Sequence, residues 1–204
     1  MTKVFAEERA VKMASFNGID IYRISTEKFK TSSINFFFLD NLTRETATKN
    51  ALLPAVMRRG SALYPTFKDI SMQLEKLYGA SFDCGVTKKG EVHVIQFYIE
   101  FLSQKYIPDG ADSFSAAFDM IYDIITRPKF TGGHFDENYV AQEKDNLRKR
   151  IESRVNDKMI YSIERCLEEM CRDEPYGIYD YGIIEDIEPI TPEGLTDHHR
   201  AVLE

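Results

Sequence analysis

The sequence is short of cysteine, short of positive charge relative to negative, and without a long apolar run, and each shortage removes a class of protein. Three cysteines, Cys84, Cys166 and Cys171, are odd in number and too sparse for a disulfide framework, which fits a reduced compartment. Cys166 and Cys171 lie five apart on a predicted helix, a spacing that does not stack two ligands on one face, so they read as buried small hydrophobes. Lys and Arg number 26 against 33 Asp and Glu, a net charge of −7 that disfavours a grip on phosphate backbones; nucleic acid is not an expected partner. No uninterrupted apolar run approaches the ~20 residues of a membrane span. The opening MTKVFAEERAVKM alternates charge with small residues instead of forming an apolar signal core. These features predict a soluble cytoplasmic protein with no membrane contact. No glycine-rich phosphate loop follows a predicted strand, and no serine or cysteine nucleophile signature is present. Without a repeat, a low-complexity tract or a linker, residues 1–204 read as one domain.

What is present alternates between strand and helix periods. Ile19 to Ser25 reads as a strand and Ser33 to Leu39, with Ile34, Phe36, Phe37 and Phe38, as a buried one, the two joined by a hairpin or meander. Thr43 offers a capping hydroxyl to a helix carrying Ala47, Ala51, Leu52, Ala55 and Val56, which Gly60 ends. Thr66 and Asp69 have capping-box spacing before a stripe of Phe67, Ile70, Leu74, Leu77 and Tyr78, and Gly79 sits at the terminator position. Ser81 to Thr87 and Glu91 to Phe101 read as strands joined by a tight turn, extending the opening sheet. A helix from Ser113 places Phe114, Ala117, Phe118, Ile121, Tyr122 and Ile125 on one face and stops before Pro128. Asp136 caps a long helical run interrupted near Asn156 to Lys158, and a last helix starts at Pro192. The expected fold is α+β: an antiparallel or mixed sheet with helices packed on one face.

The order and wording of these segments carry a resemblance. A helix ending in RRGS, then YPT and a helix closing with LEKLYGAS, then FDENYVAQEKDNLRKRIESRVND and EPYGIYDYGIIEDIEPITPEGLTDHH, is similar to the insulinase, pitrilysin and mitochondrial-processing-peptidase family of zinc peptidases over residues 15–204. Active members of that family carry an inverted zinc motif, His-x-x-Glu-His, on the first helix. The resemblance places that motif over Ala51, Leu52, Leu53, Pro54 and Ala55, so the first histidine position is Ala51, the glutamate Pro54 and the second histidine Ala55. A methyl group has no lone pair for a metal, and proline has no carboxylate. The family's third ligand lies a heptad beyond another glutamate; with that glutamate at Glu143, the ligand position is Arg150. A guanidinium about 4 Å from a divalent cation, at an effective dielectric near 20, is repelled by on the order of 8 kcal/mol. The resemblance therefore implies a non-catalytic member with no zinc.

Read without the family, Arg150 is an ordinary solvated position in a charged helix. Read with it, the guanidinium occupies the space left by the metal and pairs with a local carboxylate. His198 and His199, adjacent and about 100 degrees apart on a helix, read as surface residues, and His93 and His134 have no partner at a telling spacing. His134, Asp136 and Glu137 form a candidate metal cluster, weighed against an N-terminal helix cap with acidic residues complementing the dipole.

Since family members enclose a chamber between two homologous halves, the resemblance implies an N-terminal half about half the length of an intact chain, its final strand missing. Such a half would pair with a homologous zinc-bearing subunit, with the C-terminal half of the same protein, or with itself as a homodimer, and would contact an extended peptide. The alternatives are an active zinc-dependent metallopeptidase with ligands recruited from elsewhere, and a stand-alone protein-binding scaffold.

Overall fold

A computed structural model describes residues 9–108 and 110–204; the opening stretch read above for signal character lies, through Glu8, outside them. β1 (Val11–Phe16) and β2 (Ile19–Arg23) form an antiparallel hairpin of their own, turned at Asn17 and Gly18, both with positive φ. Asn-Gly is the residue pair that a two-residue hairpin turn prefers, because both central positions need φ above zero. This local partner takes β2 away from β3 (Thr31–Asn41), so the expected hairpin between Ile19–Ser25 and Ser33–Leu39 does not form.

β3 instead pairs antiparallel with β5 (Val92–Leu102), and β4 (Ser81–Lys89) pairs with the other side of β5, giving the order β3-β5-β4. The tight turn after β4 is as expected, with Lys89 opposite Val92 and Gly90 at positive φ. As an edge strand, β3 is half-exposed along its length and not buried throughout: Phe37 and Leu39 face solvent while Ile34, Phe36 and Phe38 face the core.

The helices cover one face of this sheet. α1 (Arg44–Met57) starts at Thr43, whose hydroxyl accepts from the Thr46 amide at 3.3 Å, a cap worth about 1 kcal/mol. α2 (Phe67–Lys76) has the expected capping box: the Thr66 hydroxyl accepts from the Asp69 amide at 3.2 Å and the Asp69 carboxylate accepts from the Thr66 amide at 3.0 Å. α3 (Ser113–Thr126) lies against β5, but its buried face is Ala117, Met120, Ile121, Ile124 and Ile125. The aromatic half of the expected stripe, Phe114, Phe118 and Tyr122, stacks along the outside of the helix instead, with successive ring centroids 6.3 and 5.8 Å apart.

The short hairpin β6 (Phe130–Thr131) with β7 (His134–Phe135) leads to α4 (Glu137–Ser153), capped by Asp136, then α5 (Lys158–Met170) and α6 (Pro192–Leu203). α1 packs on α4, β4 and β5, so its residues are the hub of the core formed by Leu52, Leu53, Val56, Ile95, Phe97, Ile99 and Ile121. Among the described residues no helix is long and apolar enough to cross a membrane.

Candidate functional site

α1 presents two different faces to its neighbours. One opens on a cavity of about 320 Å³ walled by α1, α4, the β4 edge at Cys84 and Gly85, and Tyr181. Ala51, Pro54 and Ala55 line it from α1, and Glu143 and Arg150 line it from α4. The five positions singled out in the sequence therefore share one cleft.

A cation does sit in that cleft, though it is not the one expected. Arg59, one residue beyond the C-cap of α1, sends Nε and Nη2 to Oε1 of Glu143, and Asn146 Nδ2 donates to Glu143 Oε2 at 3.2 Å. Glu143 is 7% exposed, and both of its carboxylate oxygens are already engaged, Oε1 by the Arg59 guanidinium and Oε2 by Asn146, so a metal there would have to displace a buried ion pair. Arg150 pairs with no carboxylate among the described residues; its guanidinium lies flat over the Tyr181 ring, 4.0 Å from the centroid. The physical reason is reach: Arg59 approaches Glu143 from the facing helix, whereas Arg150 is two helical turns further along α4, beside the aromatic wall.

That wall is placed by close backbone approach. Gly182, at φ +73, lies so near α1 that an added Cβ would meet Thr48 Oγ1 at 2.0 Å and its Cα at 2.7 Å. The same hydroxyl accepts from the Ile183 amide at 3.3 Å. Lys88 Nζ donates to the carbonyls of Tyr176 and Ile178 at 2.7 and 2.8 Å, tying the PYG segment to β4. Burial pushes the Cys84 thiol up to about 12, and it donates to the Pro54 carbonyl at 3.2 Å, so it is a packed thiol and no thiolate.

A neighbouring face of α1 carries a polar cluster that the sequence reading missed. Asn50 is fully buried; its Nδ2 donates to Asp40 Oδ2 at 2.9 Å and to His93 Nδ1 at 3.1 Å, and its Oδ1 accepts from His198 Nε2 at 2.6 Å. Acceptance at Nδ1 puts the His93 proton on Nε2, toward the Asp180 backbone, where no hydrogen bond closes. His199 is also buried, its Nε2 donating to the Ile125 carbonyl at 2.8 Å. His198 and His199 are thus not freely exposed: α6 docks on α1, burying His199 and half-burying His198 against Asn50. Desolvation lowers the pKa of all three imidazoles. The parity signal was available, since His93 shares its side of β5 with Ile95, Phe97 and Ile99, and His199 lies one turn from Leu195.

Two further readings resolve. Asp136 caps α4, accepting from the Asn138 and Tyr139 amides, with the neighbouring His134 Nδ1 3.0 Å from the Phe135 carbonyl. Cys166 is exposed and Cys171 half-exposed, so neither is the buried hydrophobe expected; α5 buries no residue in this chain.

Zinc does not fit the cleft. Of the four positions that the resemblance assigns to the zinc site, three offer methyl groups or a proline ring, the fourth is a guanidinium, and the nearby carboxylate is already bound to arginine. Among the described residues, no group of three or more His, Cys, Asp or Glu side chains could hold a metal ion.

Comparison with known proteins agrees with this geometry. No protein-family model matches the chain. It is 37% identical over 187 residues to the "Probable inactive metalloprotease YmfF" of Bacillus subtilis, an alignment covering 92% of this chain and 44% of that one. A conserved protein from Enterococcus faecalis V583 superposes with a TM-score of 0.87 at 31% identity, covering 95% of this chain and 46% of that one. The peptidase M16 inactive domain from Pseudomonas fluorescens shares the fold at 16% identity and a TM-score of 0.69, over 94% of this chain and 43% of that one. Pitrilysin shares it at 17% and 0.62, over 96% of this chain and 20% of that one. The chain thus spans less than half the length of these relatives. It belongs to the M16 family of pitrilysin-like metallopeptidases, and the residues at Ala51, Pro54 and Ala55 do not form the inverted zinc motif.

Proposed function

We propose that this peptidase-like domain is the N-terminal half of a two-half protein, and that it pairs with a homologous half or subunit to help enclose a peptide-binding chamber. The observation that carries this reading is apolar surface that nothing in the described chain covers. Every residue of the β1–β2 hairpin is exposed, including Val11, Met13, Phe16, Ile19, Ile21 and Tyr22. α5 is strongly two-faced, yet Met159, Ile160 and Ile163 face outward and no residue of it is buried. A soluble protein rarely leaves two such surfaces open, and each matches the apolar core of an interface rimmed by charge. Relatives more than twice as long supply a source for the missing cover. Within the assembled chamber, β4 is the edge strand beside the cleft, the position at which an extended peptide adds to a sheet.

The test is association of this chain with a separately produced downstream half, followed by analytical ultracentrifugation. A one-to-one complex that Ile21→Glu and Ile160→Glu each weaken at least tenfold supports the proposal. No complex, or one indifferent to both substitutions, contradicts it.

A further inference from the structure

One cation of the cleft, Arg150, makes no close ion pair among the described residues, although its charge reaches Asp180. Arg59 is committed to Glu143, and Arg58 lies 3.8 Å from Asp83. Arg150 is exposed, is 4.0 Å from the Tyr181 centroid, and has no carboxylate within ion-pairing distance among the described residues. Stacking uses the flat face of a guanidinium and leaves its in-plane N–H groups pointing past the ring edge, the arrangement that receives a carboxylate through two parallel hydrogen bonds. Tyr181 restrains the guanidinium in that pose, and Gly182 restrains Tyr181 through its close approach to Thr48, so the fork is organised before any ligand arrives.

The surroundings favour an anion. Arg58, Arg59 and Arg150 line the cavity against a single lining carboxylate, Glu143, in a chain whose overall charge is −7. Its volume of about 320 Å³ holds one or two residues of a peptide and no whole protein element. Phe67 and Tyr181 supply apolar walls on which the rest of such a ligand packs.

We infer that the cleft that holds zinc in active relatives is, in this chain, a carboxylate-binding site in which Arg150 on its Tyr181 platform grips an acidic group of a bound peptide. The inference deepens the peptide-contact reading above and rests on it for the class of ligand. The carboxylate comes from a peptide C-terminus or from an Asp or Glu side chain, and these two sources share one chemistry.

Fluorescence anisotropy with labelled tetrapeptides, run on the full chain, separates them. One series has a free C-terminal acid, one an amide, and one an amide with a single internal Glu; apolar residues fill the other positions. At least one acid-bearing series binds ten times or more tighter than the neutral amide, and tightens as salt is lowered. Arg150→Gln removes the difference, while Arg150→Lys, which keeps charge but loses the fork, recovers only part of it. Both substitutions lie on an exposed position and leave the fold intact, checked by circular dichroism. Equal binding of acid and neutral peptides, no binding of any series, or acid preference unchanged in Arg150→Gln overturns the inference. Pairing with the downstream half is measured separately by sedimentation, so loss of acid preference with pairing retained refutes the cleft assignment alone, and the converse refutes the pairing alone.

Discussion

Two sites one residue apart on α1 contrast in what they hold. At Ala51 and its cleft neighbours, where the resemblance puts the metal-ligand positions, there are methyl groups, a proline and three arginines. At Asn50, where no motif points, two imidazoles and a carboxylate converge on one amide. The chemistry expected from position is absent, and the ligand-like side chains present are consumed by structure. Asn50 donates twice and accepts once, so each of the side-chain atoms of Asp40, His93 and His198 that face it is already hydrogen-bonded. A helix can therefore keep its place in a fold while its faces do different work: the cleft is stabilised by an ion pair, and the Asn50 side by a hydrogen-bonded polar network.

The comparison can be broken in order of effect. Arg59→Met leaves Glu143 buried beside an apolar side chain, and thermal or denaturant unfolding shows a loss of about 3 kcal/mol. The double variant Arg59→Met with Glu143→Leu returns to within about 1 kcal/mol of the parent, because no charge is then stranded. Gly182→Ala forces a Cβ onto Thr48 at a positive φ, costing about 3 kcal/mol and displacing the Tyr181 wall. A loss below about 0.5 kcal/mol in either single variant would mean that the cleft is not held as described.

On the other face, Asn50→Ala strands Asp40, His93 and His198 together and costs about 2 kcal/mol by the same measurement. The pH dependence follows from the lowered imidazole pKa values. Above the ordinary histidine value of 6.5, folded and unfolded chains are equally unprotonated at these sites. As pH falls below 6.5, the unfolded imidazoles take up protons that the buried ones refuse, so stability declines until the depressed folded values are reached. Asp40, Lys88 and Asp180 act on His93, Lys49 and Asp40 on His198, and Arg200 on His199, but burial is the largest influence on each. His199→Gln keeps a hydrogen bond to the Ile125 carbonyl and makes the acid decline shallower in urea titrations between pH 5 and 8, a range set by the histidine titration at about 6.5. Smallest of all, Arg150→Gln changes stability by less than about 0.5 kcal/mol, since that residue makes no ion pair.

Much of the architecture was legible because it rests on local signals. Thr43, Thr66 with Asp69, and Asp136 each cap a helix, and a hydroxyl or carboxylate at an N-cap needs no knowledge of the rest of the chain. The β4–β5 hairpin was legible from its turn. Misreadings arose where tertiary partners decide. β2 had two candidate partners, and the Asn17-Gly18 turn that selects β1 was overlooked. Phe114, Phe118 and Tyr122 recur at helical spacing but stack outside, because the β5 face is already filled by the aliphatic side of α3. In the cleft, the segment RRGS contained the resident cation all along; which of its arginines reaches Glu143 depends on how α1 and α4 pack, which periodicity does not encode.

The most direct measurement is metal content and zinc affinity of the purified chain. Elemental analysis after preparation without added metal, followed by calorimetric titration with zinc, reads the donor set itself. A cleft of methyl groups, proline and arginines with its one carboxylate paired predicts no zinc carried through purification and no saturable site on titration. One tightly held zinc per chain, lost on substitution of Glu143, would contradict the account.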